Sequence, residues 1–311
     1  MLHQRLPRRL QAASGPLLAN SFSWWGADGL TRSAGFIRAW ELTERWALLG
    51  ALLVTITAAI GAEPQSANPT KIKSLPVPAL LEIIQNAAAP SLERQAALKT
   101  LFTSTEGARA VLDLASSDAL PEELRLSAAL ACAESPDLET RKLGAAKLPL
   151  PKTNDGQPVP PISALVATVG SAAAGEKIFR NTKAPNCIGC HLIGQEGHMV
   201  GPPLTVVGDR LTKNQIYEAV LSPSAIIVPG YDFWVVSTKS GAPMTGILME
   251  ETPDHLTLKN AKGEFQNIPA AQIVRKTRQR MSLMPEGLSG TMSRQDLVDL
   301  VEFLSQQKAS P

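Results

Sequence analysis

The 311-residue sequence predicts a mainly α-helical protein with one small antiparallel β insertion, preceded by a short helical-repeat segment and an N-terminal signal or membrane anchor. Three observations predict it. Apolar residues recur at helical spacing through residues 79–148 and again near the C-terminus. The period changes to strand-like alternation between residues 231 and 276. A run without charge occupies residues 46–62.

Bulk composition narrows the function classes. Hydrophobic residues make up 44% of the chain, enough for a packed core. A net charge of +2 supplies no global field for nucleic-acid binding. With only three Cys and four His, any clustering of them carries information.

Residues 1–45 form a basic N-terminal extension with six Arg, no Lys and three acidic residues. The apolar run 46–62, flanked by Arg45 and Glu63, is near the lower length limit for a bilayer span. The basic side precedes it, so the rest of the chain is expected to cross the membrane. Two readings follow: a signal h-region cleaved near Gly61 or Ala62, or an uncleaved transmembrane anchor with Trp40 and Trp46 at the interface. Both place the remainder in an exported, periplasmic setting.

Residues 63–78, with Pro64, Pro69, Pro76 and Pro78, read as a linker. In 79–148, Leu80, Leu81, Ile83 and Ile84 form one apolar face and Leu92, Ala96, Ala97, Leu98 and Leu101 another. The pattern returns at an offset of 32 residues, with Leu80 on Leu112, Leu92 on Leu124, Ala97 on Ala129 and Leu98 on Leu130. Helix pairs at this spacing resemble HEAT or armadillo repeats, and so short an array is expected to lean on a neighbour. Cys132 reads as a buried structural thiol. Residues 149–161 hold five Pro and read as an extended connector at a domain boundary.

The chemistry lies in Cys187-Ile188-Gly189-Cys190-His191, a c-type haem attachment pattern. Two thiols separated by two residues reach the two vinyl groups of a porphyrin, and the next residue projects an imidazole to the iron. A structural zinc site would need four ligands from Cys132 and scattered His. A thioredoxin-like pair would need a strand–helix setting, whereas the residues before Cys187 read as loop. Helix caps frame the motif: Ser171 before a short helix, Thr212 with Gln215 before another, and Ser293 with Asp296 before the last.

Residues 171–311, with GEKIF at 175–179, CIGCH at 187–191, GPPL at 201–204, PGY at 229–231, SLMPEGL at 282–288 and DLVDLVEFL at 296–304, resemble a cytochrome c domain. The order of motifs resembles the planctomycete/verrucomicrobial-type haem-binding domain of large membrane-bound dehydrogenases. The resemblance implies one covalently bound haem c on Cys187 and Cys190, with His191 and Met284 as iron ligands. It implies that the Pro202 carbonyl holds the His191 ring. It adds Gly175, Phe179 and Phe303 to the cofactor-binding set, with Gly175 letting the first helix cross the last against Phe303. The β-propeller dehydrogenase module of larger relatives is missing from this sequence, so substrate oxidation is expected to belong to another protein.

Met284 stands before Pro285 and Gly287, in a turn. Met281, His198 and Met292 remain as other candidates for the sixth position, as does an open site. In 231–276, Phe233 and Val235, Ile247 and Leu248, Leu256 and Leu258, Phe265 and Ile268, then Ile273 mark four or five short strands. Turn signals fall at 239–241, 252–254 and 262–263. The expected roles of the insertion are shielding of the haem edge or docking to a partner. Arg275, Lys276, Arg278 and Arg280 would neutralise haem propionates or guide an acidic partner.

The expected function is monohaem electron transfer outside the cytoplasm, between a periplasmic or membrane dehydrogenase and an electron acceptor. Nucleic acid is not an expected partner. Alternatives are a redox or gas sensor or scaffold using the helical repeats, and a haem enzyme such as a peroxidase. No carboxylate pair, Ser–His set or phosphate loop accompanies the motif, so hydrolase and transferase chemistry have no support.

Overall fold

From Pro69 the chain opens as a run of short helices. In the computed structural model, which describes residues 69–309, these are α1 (Pro69–Ile72), α2 (Val77–Gln85), α3 (Ser91–Leu101), α4 (Thr105–Ser116), α5 (Glu122–Glu134) and α6 (Leu138–Lys147). Pro76, Pro90 and Pro121 stand immediately before α2, α3 and α5, where a missing N–H costs no helical hydrogen bond. The Ser104 hydroxyl caps α4 by accepting from the Gly107 N–H at 3.1 Å, and Asp137 caps α6 by accepting from Thr140 at 2.8 Å.

These helices close on a core that includes Leu80, Ile84, Leu98, Val111, Leu112 and Leu124. Small residues set the spacing: a Cβ on Gly144 would lie 2.8 Å from Cys132 Sγ. The 32-residue correspondence is uneven. Leu80 and Leu112 are both buried, but Leu92 is 54% exposed where Leu124 is 1% exposed. Leu92 therefore does not join the apolar face expected of it.

Two expected linkers differ from the structure. Within 63–78, Pro69–Ile72 is helical and Ile72 is buried in the helical core. Residues 149–161 are not extended. Lys152 bridges Pro158, Gly156 turns the chain at φ +77°, and Val159 is fully buried. The Asn154 N–H also donates to the Met292 carbonyl at 2.9 Å. Proline stops a helix, but it does not prevent a folded-back turn with an apolar side to bury. The apolar run 46–62 and the extension 1–45 lie outside the described residues. Among the described residues, no helix is long and apolar enough to cross a membrane.

The second half adds α7 (Ile162–Ala167), α8 (Ala172–Phe179), a 3₁₀ turn at Cys187–Gly189, β1 (Leu192–Ile193), β2 (Glu196–Gly197), α9 (Val207–Arg210) and α10 (Lys213–Leu221). Strands β3 (Phe233–Thr238), β4 (Met244–Glu251), β5 (His255–Lys259), β6 (Phe265–Pro269) and β7 (Ile273–Arg278) follow, then α11 (Arg294–Ser305). The core of this half contains Leu165, Phe179, Tyr217, Leu297 and Val301, and also Leu130 from α5. Leu126 and Leu150 pack against both cores. The two cores therefore share a wall, sealed by the Ser127–Ser222 hydroxyl pair at 3.1 Å and by Lys99–Glu218 at 2.6 Å.

The strands form one antiparallel sheet in the order β6-β5-β4-β3-β7, open at both edges. Gly241 and Gly263 carry positive φ at two of its turns, the backbone region that glycine enters without strain. Its buried face holds Val236, Leu256, Leu258 and Ile268, with Trp234 alongside. Phe233 and Val235, which mark β3 in the sequence, alternate onto the other face, where Phe233 pairs with Ile247. Side chains alternate with a period of two, so a shift of one residue exchanges the faces. Phe265, a strand marker in the sequence, is 65% exposed beneath the Lys259 ammonium.

Candidate haem site

The Cys–His motif sits in a single tight turn. Asn186 enters it in left-handed conformation at φ +58°, which Asn tolerates better than most residues. The Cys187 carbonyl then accepts the N–H groups of Cys190 at 3.1 Å and His191 at 2.9 Å. The turn is half-buried, with Cys187 and Ile188 packed against the core of this half.

The loop after His191 folds back onto it. The β1–β2 hairpin turns at Gly194, φ +61°. Arg180, at the end of α8, pairs with Glu196 of the hairpin and with Glu176 at 3.0 Å. The Cys190 carbonyl accepts the N–H groups of Val200 at 3.0 Å and Gly201 at 2.8 Å. This return places Pro202 beside the imidazole, and His191 Nδ1 donates to the Pro202 carbonyl oxygen at 2.7 Å. A proton on Nδ1 leaves the Nε2 lone pair for a metal. Gly201 lies against the ring: a Cβ there would come 2.5 Å from Cε1.

Burial lowers the His191 pKa, partly offset by the Pro202 carbonyl, so the ring is held as the neutral ligand form. Burial pushes the Cys187 thiol up to about 11 and raises Cys190 as well. A redox dithiol instead needs a lowered thiol pKa. Among the described residues, no group of three or more His, Cys, Asp and Glu stands together as a metal cluster. Cys132 is buried against Gly144 in the helical core. Two thiols and a neutral, oriented imidazole in one turn fit a covalently held haem.

The other predicted residues lie in three places. Gly175 is at the crossing of α8 and α11, where a Cβ would overlap the Asp299 carbonyl and come 2.8 Å from Phe303 Cβ. Phe179 and Phe303 meet at the same crossing, ring centroids 5.8 Å apart. Their observed contacts hold the two helices together. Met284 is half-buried in the loop after β7, its N–H donating to the Ser282 hydroxyl at 3.1 Å. Of the alternatives, Met292 is buried in the core and His198 is exposed. Met281 lines a cavity of about 380 Å³ against α5.

The basic run is largely engaged within the chain. Lys276 pairs with Glu251, Arg278 with Asp232 at 3.0 Å and Arg280 with Glu123 at 3.4 Å. Sequence reasoning missed Gly201 as the residue against the ring, although it begins the GPPL motif. It also missed Asn186, whose type suits the left-handed residue before the turn.

Residues 172–262 match the family model described as Cytochrome c. The chain carries a cytochrome c domain. No curated protein matches the chain. The matched span begins with α8, contains the Cys–His turn and ends within the sheet, before Met284. The domain implies haem c and supports a haem-based electron-transfer protein. In the cytochrome c domain here, α11 completes the helix crossing from beyond the matched residues.

Proposed function

We propose that this chain is a monohaem c-type cytochrome that transfers electrons outside the cytoplasm, accepting them from a dehydrogenase and delivering them to a second redox protein. The observation that carries the reading is the His191–Pro202 bond of 2.7 Å on the residue that follows Cys190. It orients a neutral imidazole with Nε2 uncommitted.

Haem, when bound, supplies a one-electron iron couple. The residues do the rest. Cys187 and Cys190 would hold it through thioether bonds, and His191 would ligate the iron. Met284 would be the second iron ligand, a soft thioether that would favour Fe(II) and raise the potential. Ile188, Ile193, Leu204 and Leu288, half-buried against the core, keep water away.

The segment 79–148 is read as a short HEAT-like array of helix pairs, preceding a haem-binding domain read as the planctomycete/verrucomicrobial type. Export follows from the run 46–62, as a cleaved signal or as an anchor. If it is an anchor, intact protein stays with washed membranes. Recovery entirely in the soluble fraction, beginning near Ala62, would end the anchor reading.

The deciding experiment is an absorption spectrum of protein made with the c-haem maturation machinery, native and after acid denaturation. Colour that stays with the unfolded chain, and a native sulfur-to-iron band lost in Met284→Ala, support the carrier. Haem that separates from the chain refutes it.

A further inference from the structure

Glu123 serves two arginines at once. It lies on α5, buried with Arg94 of α3, and the two form an ion pair. The same Oε1 stands 3.4 Å from Nη1 of Arg280. Arg280 follows β7 and precedes Met284 by four residues. Met281 lines the cavity of about 380 Å³ together with Glu122, Glu123 and Leu126 of α5. The Ser282 N–H donates at 3.1 Å to the hydroxyl of Ser224, a fully buried residue just beyond α10. Residues 280–282 are thus fastened to α5 on one side and to the turn after α10 on the other.

A loop that must present a weak ligand binds better when its ordering cost has been met in advance. Glu123 also needs Arg280 for nothing in its own fold, because Arg94 already balances its charge. The second arginine is explained by the loop it carries.

We propose that Arg280, held by Glu123, is a positioning residue for Met284, and that α5 acts as the clamp presenting loop 280–287 to the iron. This rests on the reading of Met284 as the sixth ligand. Glu123 itself is a poor target, since its loss would leave Arg94 buried without a counter-charge. Arg280 is half exposed, and its loss leaves the Arg94–Glu123 pair intact.

The test uses the full-length, haem-loaded protein with Arg280→Gln and Arg280→Lys. Amide exchange over 281–287, the sulfur-to-iron band against temperature, the reduction potential and the helical circular dichroism are measured together. In Arg280→Gln, exchange over 281–287 rises about fivefold. The band is lost at a lower temperature and the potential falls, while the helical signal melts with the wild type. Arg280→Lys restores part of each. Unchanged exchange and band in Arg280→Gln overturn the proposal. Faster exchange with an unmoved band and potential also overturns it, because Arg280 then anchors the loop without positioning the ligand. A wild type that never shows the band refutes Met284 as ligand and the positioning role with it. Faster exchange in Arg280→Gln would then still identify the anchor, which separates the two failures.

Discussion

His191 Nδ1 lies 2.7 Å from the carbonyl oxygen of Pro202, and Gly201, the residue before that proline, lies against the imidazole edge. The same tripeptide return that supplies the acceptor therefore also sets how close the backbone comes to the ring.

Gly201→Ala should tilt the imidazole, because the added methyl would come 2.5 Å from Cε1. The haem should stay covalently attached while the iron–histidine bond weakens, by about 10-fold to 100-fold in ligand affinity as for other supporting partners of metal ligands. The check is a high-spin fraction in the spectrum of the oxidised protein. A wild-type spectrum in this variant would show that the ring has room.

Thiol titration should distinguish the three cysteines. Unfolded haem-loaded protein should show one thiol, Cys132, and unfolded haem-free protein three. In the folded protein Cys132 should resist alkylation at pH 8. Burial pushes its pKa up to about 11, leaving about one thiolate in a thousand at that pH.

The same burial gives a pH dependence. Cys132 is raised to about 11 and Tyr217 to about 12, the latter by burial first and then by the charges of Glu302 and Asp299. Both are neutral when protonated and titrate at lower pH in the unfolded chain. Above about pH 9 the unfolded state therefore binds fewer protons than the native state, and stability falls as pH rises. Denaturant midpoints at pH 7, 9 and 10.5 should decline in that order. Cys132→Ala should flatten the first part of the decline.

The α8–α11 crossing admits no side chain at Gly175. Gly175→Ala should destabilise the fold by about 3 kcal/mol, since the obstructing atom is a backbone carbonyl that cannot rotate away. Thermal unfolding of the haem-loaded protein checks this, and an unchanged midpoint would mean that the helices separate at little cost.

Leu130 belongs to α5 yet is buried in the core of the cytochrome half. The helical segment and that half should therefore unfold in one calorimetric transition. Leu130→Ala should cost about 2–5 kcal/mol and broaden or split the transition. Two transitions in the wild type would show that the shared wall does not couple them.

The attachment turn and the helix ends were legible in the amino-acid sequence because each depends on residues within a few positions of one another. CIGCH carries its own geometry. Ser171, Thr212 with Gln215, and Ser293 with Asp296 cap the helices they precede. Gly241 and Gly263 sit at turns of the sheet. What a face packs against was not legible. Val235 and Val236 are chemically the same, and only the body of the sheet decides that Val236 is buried. Leu92 and Leu124 occupy matching places in the repeat, and only the neighbouring helices decide that one is exposed. Five prolines excluded a helix in 149–161 but said nothing of Val159 reaching a core.

By itself, then, the sequence determined the Cys–His attachment motif, the capped helices and the presence of a strand-rich insertion, since local spacing and backbone preference encode them. Tertiary structure alone decided that Arg280 meets Glu123 and that Leu130 is buried in the core of the second half. These contacts join residues brought together by helix packing, and chain separation erases any local pattern that would announce them, whereas the His191–Pro202 bond was already implied by the motif resemblance.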